Sequence, residues 1–201
     1  MLTKLSNPGN AVLEVGCGAG YLAIELAKRG RTVTGIDVSD RILKVARAHT
    51  VNGIEFLRVD GVELPFPTDS FHLVYSIEVF EHLHPDDALK HLREARRILR
   101  PGGKLWALTP NRTFKISAGA RFGIDATHGE DIHLKEWTYE ELVYLLKEGG
   151  FRRIRSPWRD QRRHSIPMMP AGVCIGLERL TRANRSLAER FGVHECSLVA
   201  H

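Results

Sequence analysis

The chain has 201 residues, of which 43% are hydrophobic and 26% are charged, and its formal net charge is +5. This composition is typical of a globular α/β unit and excludes disordered, collagenous and coiled-coil proteins. No apolar run approaches the roughly 18 residues of a membrane span, and Met1–Asn10 lacks the apolar core of an export signal. Because Cys17, Cys174 and Cys196 form neither a metal-spaced cluster nor a disulfide framework, we expect a reducing, cytoplasmic setting.

Short β-branched runs alternate with helix-like segments along the chain, a pattern typical of a parallel sheet that is covered on both faces. The expected strands are Ala11–Val15, Thr32–Ile36, Ile54–Val59, Phe71–Ile77, Lys104–Thr109, Phe151–Ser156 and Glu195–Ala200. The expected helices are Tyr21–Arg29, a helix capped by Ser39, Pro85 to about Arg100, a helix capped by Thr138, and Gly176–Arg190. We therefore predict a doubly wound, mostly parallel, seven-stranded Rossmann-like sheet with helices on both faces.

A long segment after the fifth strand, Pro110–Trp137, has little periodicity. Connections of this length inside a compact unit are usually functional. Since the chain shows no internal repeat, we expect one domain over 1–201, with a cofactor-binding half at 1–110 and an acceptor-side half at 111–201. Ligands of such sheets bind at the carboxyl ends of the strands, so the segments 110–137 and 157–175 are expected to build the acceptor pocket.

A glycine-rich turn follows the first strand and precedes a helix, over Gly16–Gly20. Glycines let a ligand lie against the backbone where a side chain would collide with it. Asp37 ends the second strand, where a carboxylate can accept hydrogen bonds from the hydroxyls of a ribose. A dinucleotide fingerprint would need glycine in place of Tyr21, and Glu14 would repel a pyrophosphate. The pattern favours an adenosine ligand that carries an ammonium and a sulfonium.

The segment Glu14–Gly20, Glu-Val-Gly-Cys-Gly-Ala-Gly, resembles the first motif of class I S-adenosylmethionine-dependent methyltransferases, the large group that includes quinone-biosynthesis methyltransferases. Asp37-Val38 resembles the ribose-binding end of the second strand, and Asp60–Val62 resembles the residues that hold the adenine. Ser76–His82 and Ile98–Gly103 match the segments that follow in the family. The resemblance implies S-adenosylmethionine as cofactor, bound by Glu14, Gly16, Gly18, Tyr21, Asp37, Val38, Asp60, Gly61, Val62, Ser76 and Ile77.

Family members often carry an N-terminal helical segment that helps to cover the site, whereas only ten residues precede the first strand here. We therefore expect either that other parts cover the site or that the sequence is a piece of a longer protein. The transfer itself is an in-line displacement of a methyl group from a sulfonium, which requires positioning and the exclusion of water. A general base is needed only for an unactivated hydroxyl or an ammonium group.

Glu78, Glu81 and His82 follow the fourth strand, and spacings of three and four bring them together if the segment forms a helical turn. Two carboxylates and an imidazole can bind Mg²⁺, Mn²⁺ or Zn²⁺, which would lower the pKa of an acceptor hydroxyl and orient it. The alternative is a site without metal, in which Glu78 lines the pocket and His82 orients the substrate or packs under the cofactor.

The Glu-x-x-Glu-His spacing resembles two groups of metal-dependent O-methyltransferases. One group acts on catechol-like quinone precursors, and the other methylates the terminal 2′-hydroxyl of small RNAs. His133 begins the segment His-Leu-Lys-Glu-Trp-Thr, which resembles the downstream histidine segment of the RNA group. The resemblance therefore implies His133 as a further metal ligand, and we expect Glu81, His82 and His133 to be the catalytic residues.

The predicted function is O-methylation of a small-molecule acceptor. One alternative is a metal-dependent RNA 2′-O-methyltransferase, which His133 and the ten arginines between Phe151 and Arg190 favour, although no RNA-binding module is appended. Two alternatives come from other classes, an NAD-dependent oxidoreductase and a non-catalytic protein that retains the cofactor fold.

Overall fold

The structure, a computed structural model, describes residues 2–112, 133–156, 169–183 and 195–201. The strands are β1 Ala11–Val15, β2 Thr32–Asp37, β3 Ile54–Arg58, β4 Phe71–Ile77, β5 Leu99–Pro110, β6 Arg155–Ser156, β7 Met169–Pro170 and β8 Glu195–Ala200. The helices are α1 Leu2–Leu5, α2 Tyr21–Lys28, α3 Asp40–Ala48, α4 Pro85–Ile98, α5 Tyr139–Glu148 and α6 Ala171–Ala183, with a 3-10 turn at Phe80–His82.

These strands form one sheet in the order β3-β2-β1-β4-β5-β8-β6-β7. The strands β1 to β5 are parallel, whereas β8 runs antiparallel to β5 and to β6. The order reverses between β1 and β4, where Val15 lies opposite Ser76. Doubly wound sheets bind their ligands at such a reversal, outside the carboxyl ends of the strands. The segments that follow Val15 and Ile77 therefore leave the sheet side by side at the expected ligand site.

Both faces of the sheet are covered by helices, as the sequence predicts. Neighbouring residues of a strand point to opposite faces, so the fully buried Val12 and Leu13 belong to two different apolar clusters. The cluster around Leu13 contains residues of α4, α5 and α6, and the cluster around Val12 contains residues of α2 and α3. None of the helices within the described ranges has the length and hydrophobicity to span a membrane.

Local signals predicted most helix ends correctly. Ser39 Oγ accepts a hydrogen bond from the backbone N–H of Ile42 and caps α3. Thr138 and Glu141 form a reciprocal capping box at the start of α5. Pro85 occupies the first turn of α4, where its missing N–H is not needed.

The second half of the sheet differs from the prediction. Strand β6 pairs only over Arg155–Ser156 rather than Phe151–Ser156, and Met169–Pro170 adds an eighth strand. A two-residue strand has no periodicity to detect, so the sequence could not reveal it. Strand β5 begins at Leu99, which pairs with Phe71 before a register shift, and not at Lys104. The predicted acceptor-pocket segments lie largely outside the described residues.

The last helix also begins earlier than predicted, at Ala171 instead of Gly176. Ala171 and Cys174 are buried at helical spacing in the apolar cluster around Leu13. This burial outweighs the low helix propensity of Gly172 and Gly176. The expected end of the helix at Arg190 falls outside the described residues.

Candidate functional site

The glycine turn presents bare backbone at the carboxyl end of β1. Gly16 and Gly18 have φ angles of +70° and +51°, which L-residues rarely adopt. A Cβ added to Gly16 would lie 2.4 Å from Val79 Cγ2, so this glycine permits close packing against the segment after β4. A Cβ added to Gly18 would meet nothing within 4 Å. As far as the described residues show, Gly18 faces open space, where a ligand can approach the backbone.

Asp37, at the end of β2, is hydrogen-bonded to this turn. Its Oδ2 accepts from the Gly18 backbone N–H at 2.9 Å, and its Oδ1 accepts from the Ser39 N–H at 2.9 Å. An ionised carboxylate offers about four lone-pair positions, so each oxygen keeps capacity for one further donor. The structure thus holds a carboxylate beside Gly18 in an orientation that can receive the two hydroxyls of a ribose.

Buried polar groups without partners lie where β1 and β4 meet. Within the described part of the chain, Glu14 Oε2, Tyr75 Oη and Ser76 Oγ are buried and have no hydrogen-bond partner. Burial raises the pKa of Glu14 to about 7. The nearby Tyr75 hydroxyl opposes part of this rise in pKa, although the two side chains do not form a hydrogen bond of ordinary geometry. Glu14 and Tyr75 lie opposite each other across β1 and β4, and Ser76, opposite Val15, points to the other face of the sheet. Buried polar atoms are normally paired, so each of these oxygens is suited to a polar ligand that supplies its missing partner.

The segment after β3 forms a tight turn around Gly61. Asp60 Oδ1 accepts a hydrogen bond of 2.9 Å from the Val62 backbone N–H, and Gly61 has a φ of +81°. Asp60 is exposed, whereas Gly61 is buried against Val15. The turn thus lies next to the end of β1, close to the glycine turn.

Three of the predicted cofactor-binding residues have large, mainly apolar side chains. Tyr21 begins α2 and is 75% exposed, and Val38 follows β2 and is 63% exposed. Ile77 ends β4 and is half-buried. Exposed large apolar side chains beside a crevice are typical of surfaces that a ligand covers.

A second cluster forms at the carboxyl end of β4. Glu81, His82 and His133 each offer a ligand atom, and these atoms lie within 4.8 Å of one another. Glu81 is fully buried, and its Oε1 has no hydrogen-bond partner among the described residues. The rings of His82 and His133 meet edge to face, with centroids 5.1 Å apart. A carboxylate and two imidazoles in this arrangement can hold a divalent transition metal.

The segment that carries His133 is bound to the 3-10 turn through backbone atoms. The backbone N–H groups of Leu134 and Lys135 donate to the Glu81 carbonyl at 2.8 and 3.1 Å. Trp137 Nε1 donates to the Phe80 carbonyl at 3.0 Å. These bonds bring His133 beside residues about fifty positions earlier in the chain.

Glu78 does not join this cluster, although the sequence predicts it as a metal ligand. The side chain is exposed, and the backbone φ of +54° places the residue in the left-handed region. The segment is therefore not the continuous helical turn that the spacing assumed, because the 3-10 turn begins only at Phe80. The structure brings together Glu81, His82 and His133 and leaves Glu78 outside.

Two polar residues of the cluster were missed by the sequence analysis. Thr109 Oγ1 donates a hydrogen bond of 2.8 Å to Glu81 Oε2. Glu136 Oε1 lies 3.3 Å from His133 Nδ1, so it can accept the proton of that nitrogen and leave Nε2 free as a ligand. The only signal for Thr109 was a polar residue at the end of a buried strand, which is common without any function.

A family model described as "Methyltransferase domain" matches residues 12–103. The "Ubiquinone biosynthesis O-methyltransferase" of Xanthomonas euvesicatoria pv. vesicatoria is 34% identical over 182 residues, which cover 81% of this chain and 74% of that relative. The protein of the same name from Xanthomonas axonopodis pv. citri is 33% identical over 181 residues, with 81% and 73% of the two chains covered.

Solved structures share the fold of this chain. A protein described as an S-adenosylmethionine-dependent methyltransferase from Mesorhizobium loti aligns with a TM-score of 0.67 and 20% identity, covering 96% of this chain and 91% of that one. The YcgJ protein from Bacillus subtilis aligns with a TM-score of 0.70 and 16% identity, covering 100% and 95%. At these identities the likeness shows a common Rossmann-like fold.

Proposed function

Because the chain belongs to the class I S-adenosylmethionine-dependent methyltransferases, we propose that it methylates an oxygen atom of a small molecule with the help of a divalent metal ion. Family membership makes the chain an enzyme that uses S-adenosylmethionine, and it sets aside the oxidoreductase and non-catalytic alternatives. One observation carries the rest of the proposal, the cluster of Glu81, His82 and His133 at the carboxyl end of β4. The names of the relatives, which are O-methyltransferases, support oxygen as the methylated atom.

The crevice between β1 and β4 suits the donor. S-adenosylmethionine supplies a methyl group on a positively charged sulfur, and the partly anionic lining of the crevice is favourable for that charge. In the proposal Asp37 receives the ribose hydroxyls and Asp60–Val62 holds the adenine. The unpaired oxygens of Glu14 and Ser76 contact the amino-acid portion, for which Gly16 and Gly18 leave space beside the backbone. The apolar surface of the nucleoside contacts Tyr21, Val38 and Ile77.

The second cluster suits a metal ion. Its proposed ligands are Glu81 Oε1, an imidazole nitrogen of His82 and Nε2 of His133, with Glu136 orienting the last. Imidazole nitrogens favour Mn²⁺ or Zn²⁺ over Mg²⁺, which prefers oxygen ligands alone. A metal ion here would lower the pKa of the acceptor hydroxyl and orient it towards the methyl group. Three protein ligands leave positions for the acceptor oxygens.

The test is a calorimetric titration of Mn²⁺ into the protein loaded with S-adenosylhomocysteine. We expect micromolar binding that is lost in Glu81→Gln, because this change removes the buried anionic ligand and leaves its volume. Glu148→Gln, at the exposed end of α5, is the matched control and should bind as the unchanged protein does. Absence of Mn²⁺ binding in the unchanged protein would overturn the metal part of the proposal and leave a metal-free methyltransferase.

The terminal 2′-hydroxyl of RNA is a second candidate acceptor. The observation in its favour is that His133, whose segment resembles that of the RNA group, lies within the cluster. Transfer of a labelled methyl group to a catechol carboxylic acid and to a short RNA with a free 3′ end separates the candidates. We expect label on the small molecule, whereas label on the RNA alone would overturn the small-molecule proposal.

A further inference from the structure

His91 is a buried polar side chain on α4 that neither proposed cluster contains. It is 0% exposed, and its Nδ1 lies 2.6 Å from the carbonyl oxygen of Gly61. A carbonyl oxygen only accepts, so Nδ1 carries the proton and Nε2 carries a lone pair. Nε2 is buried without a hydrogen-bond partner among the described residues. Burial lowers the pKa of His91, so that the ring is neutral when it donates.

The carbonyl that His91 binds lies in the turn proposed to hold the adenine. That turn exposes the Asp60 side chain, while the Gly61 backbone is buried beside Val15. Within the turn, Asp60 Oδ1 accepts from the backbone N–H groups of Val62 and Glu63, at 2.9 and 3.4 Å. These bonds are internal to the turn and fix its shape. The bond from His91 joins it to a different element of the fold.

Farther along α4, the same helix face holds the chain that leaves this turn. Glu94 Oε2 accepts from the Leu64 N–H at 3.3 Å, and Arg97 donates to the carbonyl oxygens of Leu64 and Phe66 at 2.9 and 2.8 Å. His91, Glu94 and Arg97 follow one another at spacings of three and therefore share one face of the helix. Three side chains of α4 thus form hydrogen bonds with the backbone between Gly61 and Phe66. Of these three, His91 binds the residue that belongs to the proposed adenine turn.

The His91 ring also contacts the turn that carries Glu81. Its ring and that of Phe80 meet edge to face, with centroids 5.4 Å apart and planes at 79°. Phe80 is also fully buried and accepts a hydrogen bond from Trp137. His91 is therefore enclosed by well-packed elements, which limits how far its imidazole can move away from Gly61.

We propose that His91 is a positioning residue for the cofactor, whose Nδ1–H holds the Gly61 carbonyl and thereby orients Asp60–Val62 towards the adenine ring. This inference rests on the proposed role of that turn. Without the donor, the buried Gly61 carbonyl loses its partner, and the turn shifts to reach another donor or water. Binding of the adenine then weakens, while the ribose contact at Asp37 and the glycine turn keep their geometry.

The experiment compares two substitutions of similar size by calorimetry with S-adenosylhomocysteine. His91→Asn carries an amide N–H close to the position of Nδ1 and can still donate to Gly61. His91→Leu fills the space without a donor. We expect His91→Asn to bind within about threefold of the unchanged protein and His91→Leu to bind roughly tenfold more weakly, as loss of one buried hydrogen bond implies.

A second ligand separates positioning from a general structural effect. S-ribosylhomocysteine has the ribose and the amino acid but no adenine, and its affinity can be measured by competition. We expect His91→Leu to change the affinity for this compound less than about twofold, since the contact in question acts on the adenine. An equal weakening for both ligands would show a merely structural role and overturn the proposal.

Asp60→Ala distinguishes failure of this inference from failure of the adenine assignment. If Asp60→Ala selectively weakens the binding of S-adenosylhomocysteine and His91→Leu does not, the positioning role of His91 is wrong. If Asp60→Ala weakens neither ligand, the adenine assignment itself is wrong, and the inference falls with it. Should His91→Leu fail to fold, His91→Gln replaces it, because the amide N–H of the glutamine lies near the position of Nε2 and cannot reach Gly61. We again expect weaker binding of S-adenosylhomocysteine alone. An affinity of His91→Gln equal to that of His91→Asn would overturn the proposal.

Discussion

Thr109 Oγ1 donates a hydrogen bond of 2.8 Å to Glu81 Oε2, and both side chains are completely buried. This bond occupies one oxygen of the carboxylate, while Oε1 has no hydrogen-bond partner among the described residues. A carboxylate oxygen of Glu81 lies within 4.8 Å of a ring nitrogen of each of the two histidines. A buried carboxylate is strongly destabilising unless it is hydrogen-bonded or faces a positive charge. The Thr109 hydroxyl supplies a partner for one oxygen, and under the proposed function a metal ion would supply the partner of the other.

Thr109→Val should lower the affinity for Mn²⁺ by about tenfold, because the Glu81 carboxylate loses its orienting donor. The same change should lower the free energy of unfolding by about 1–3 kcal/mol, since a buried acceptor loses its partner. Thr109→Ser keeps the hydroxyl and is the matched control. Calorimetric titration and urea unfolding measure the two effects, and a Val variant that titrates like the Ser variant would contradict this role of Thr109.

Asp37→Asn should lower the affinity for S-adenosylhomocysteine by about ten- to a hundredfold, which corresponds to about 1.4–2.8 kcal/mol of binding free energy. The amide nitrogen cannot accept from Gly18 or Ser39, so the side chain loses one of its two backbone donors and part of its capacity for ribose hydroxyls. Asp40→Asn is the control, because Asp40 lies three residues away in an exposed ion pair with Arg58. Equal affinities in the two variants would mean that the ribose lies elsewhere.

Glu14 should make the stability of the cofactor-free protein depend on pH. Its pKa of about 7 in the folded chain is above the value of 4.5 expected in the unfolded chain. Between these values the folded chain binds more protons, so the free energy of unfolding falls as pH rises, by about 3 kcal/mol in total, and then levels off above pH 7. Glu14→Gln should remove most of this slope.

Urea unfolding at pH 5, 6, 7 and 8 measures the effect, with Glu148→Gln as an exposed control that should keep the slope of the unchanged protein. Glu14→Gln should also bind S-adenosylmethionine more weakly at pH 8, where the unchanged carboxylate is ionised and attracts the positive ligand. A Glu14→Gln variant with an unchanged slope would show that the carboxyl titrates near its ordinary value.

Gly16→Ala should destabilise the protein more than Gly9→Ala does. The two glycines have similar φ angles, +70° and +82°, so both substitutions carry the cost of a left-handed backbone, about 1–2 kcal/mol. Only at Gly16 would the new Cβ also collide, at 2.4 Å from Val79 Cγ2. The difference in thermal unfolding between the two variants isolates this collision, and equal melting temperatures would show that Val79 moves aside freely.

Short-range patterns in the sequence predicted the cofactor half of the fold well. The strands at Ala11–Val15 and Phe71–Ile77 and the caps at Ser39 and Thr138 were predicted correctly, because apolar periodicity and capping depend on residues within one turn or strand. The prediction was less accurate for β6 and β7, which have two residues each and are too short to show a period.

Residue types, strand ends and the resemblance to the methyltransferase family also allowed the sequence by itself to predict which groups gather at the carboxyl ends of the strands. Only the tertiary structure decided how they are held: Glu81 meets Thr109 and His133, and His91 meets Gly61. These partners lie 28 to 52 residues apart, and their contact depends on the order of strands and on the packing of α4 against the sheet. It likewise decided that Glu78 lies outside the cluster, because a left-handed backbone at that residue interrupts the turn that the spacing had assumed. Hydrophobic periodicity determines which segments become strands and helices, whereas hydrogen bonds between distant side chains form only where packing brings those segments together.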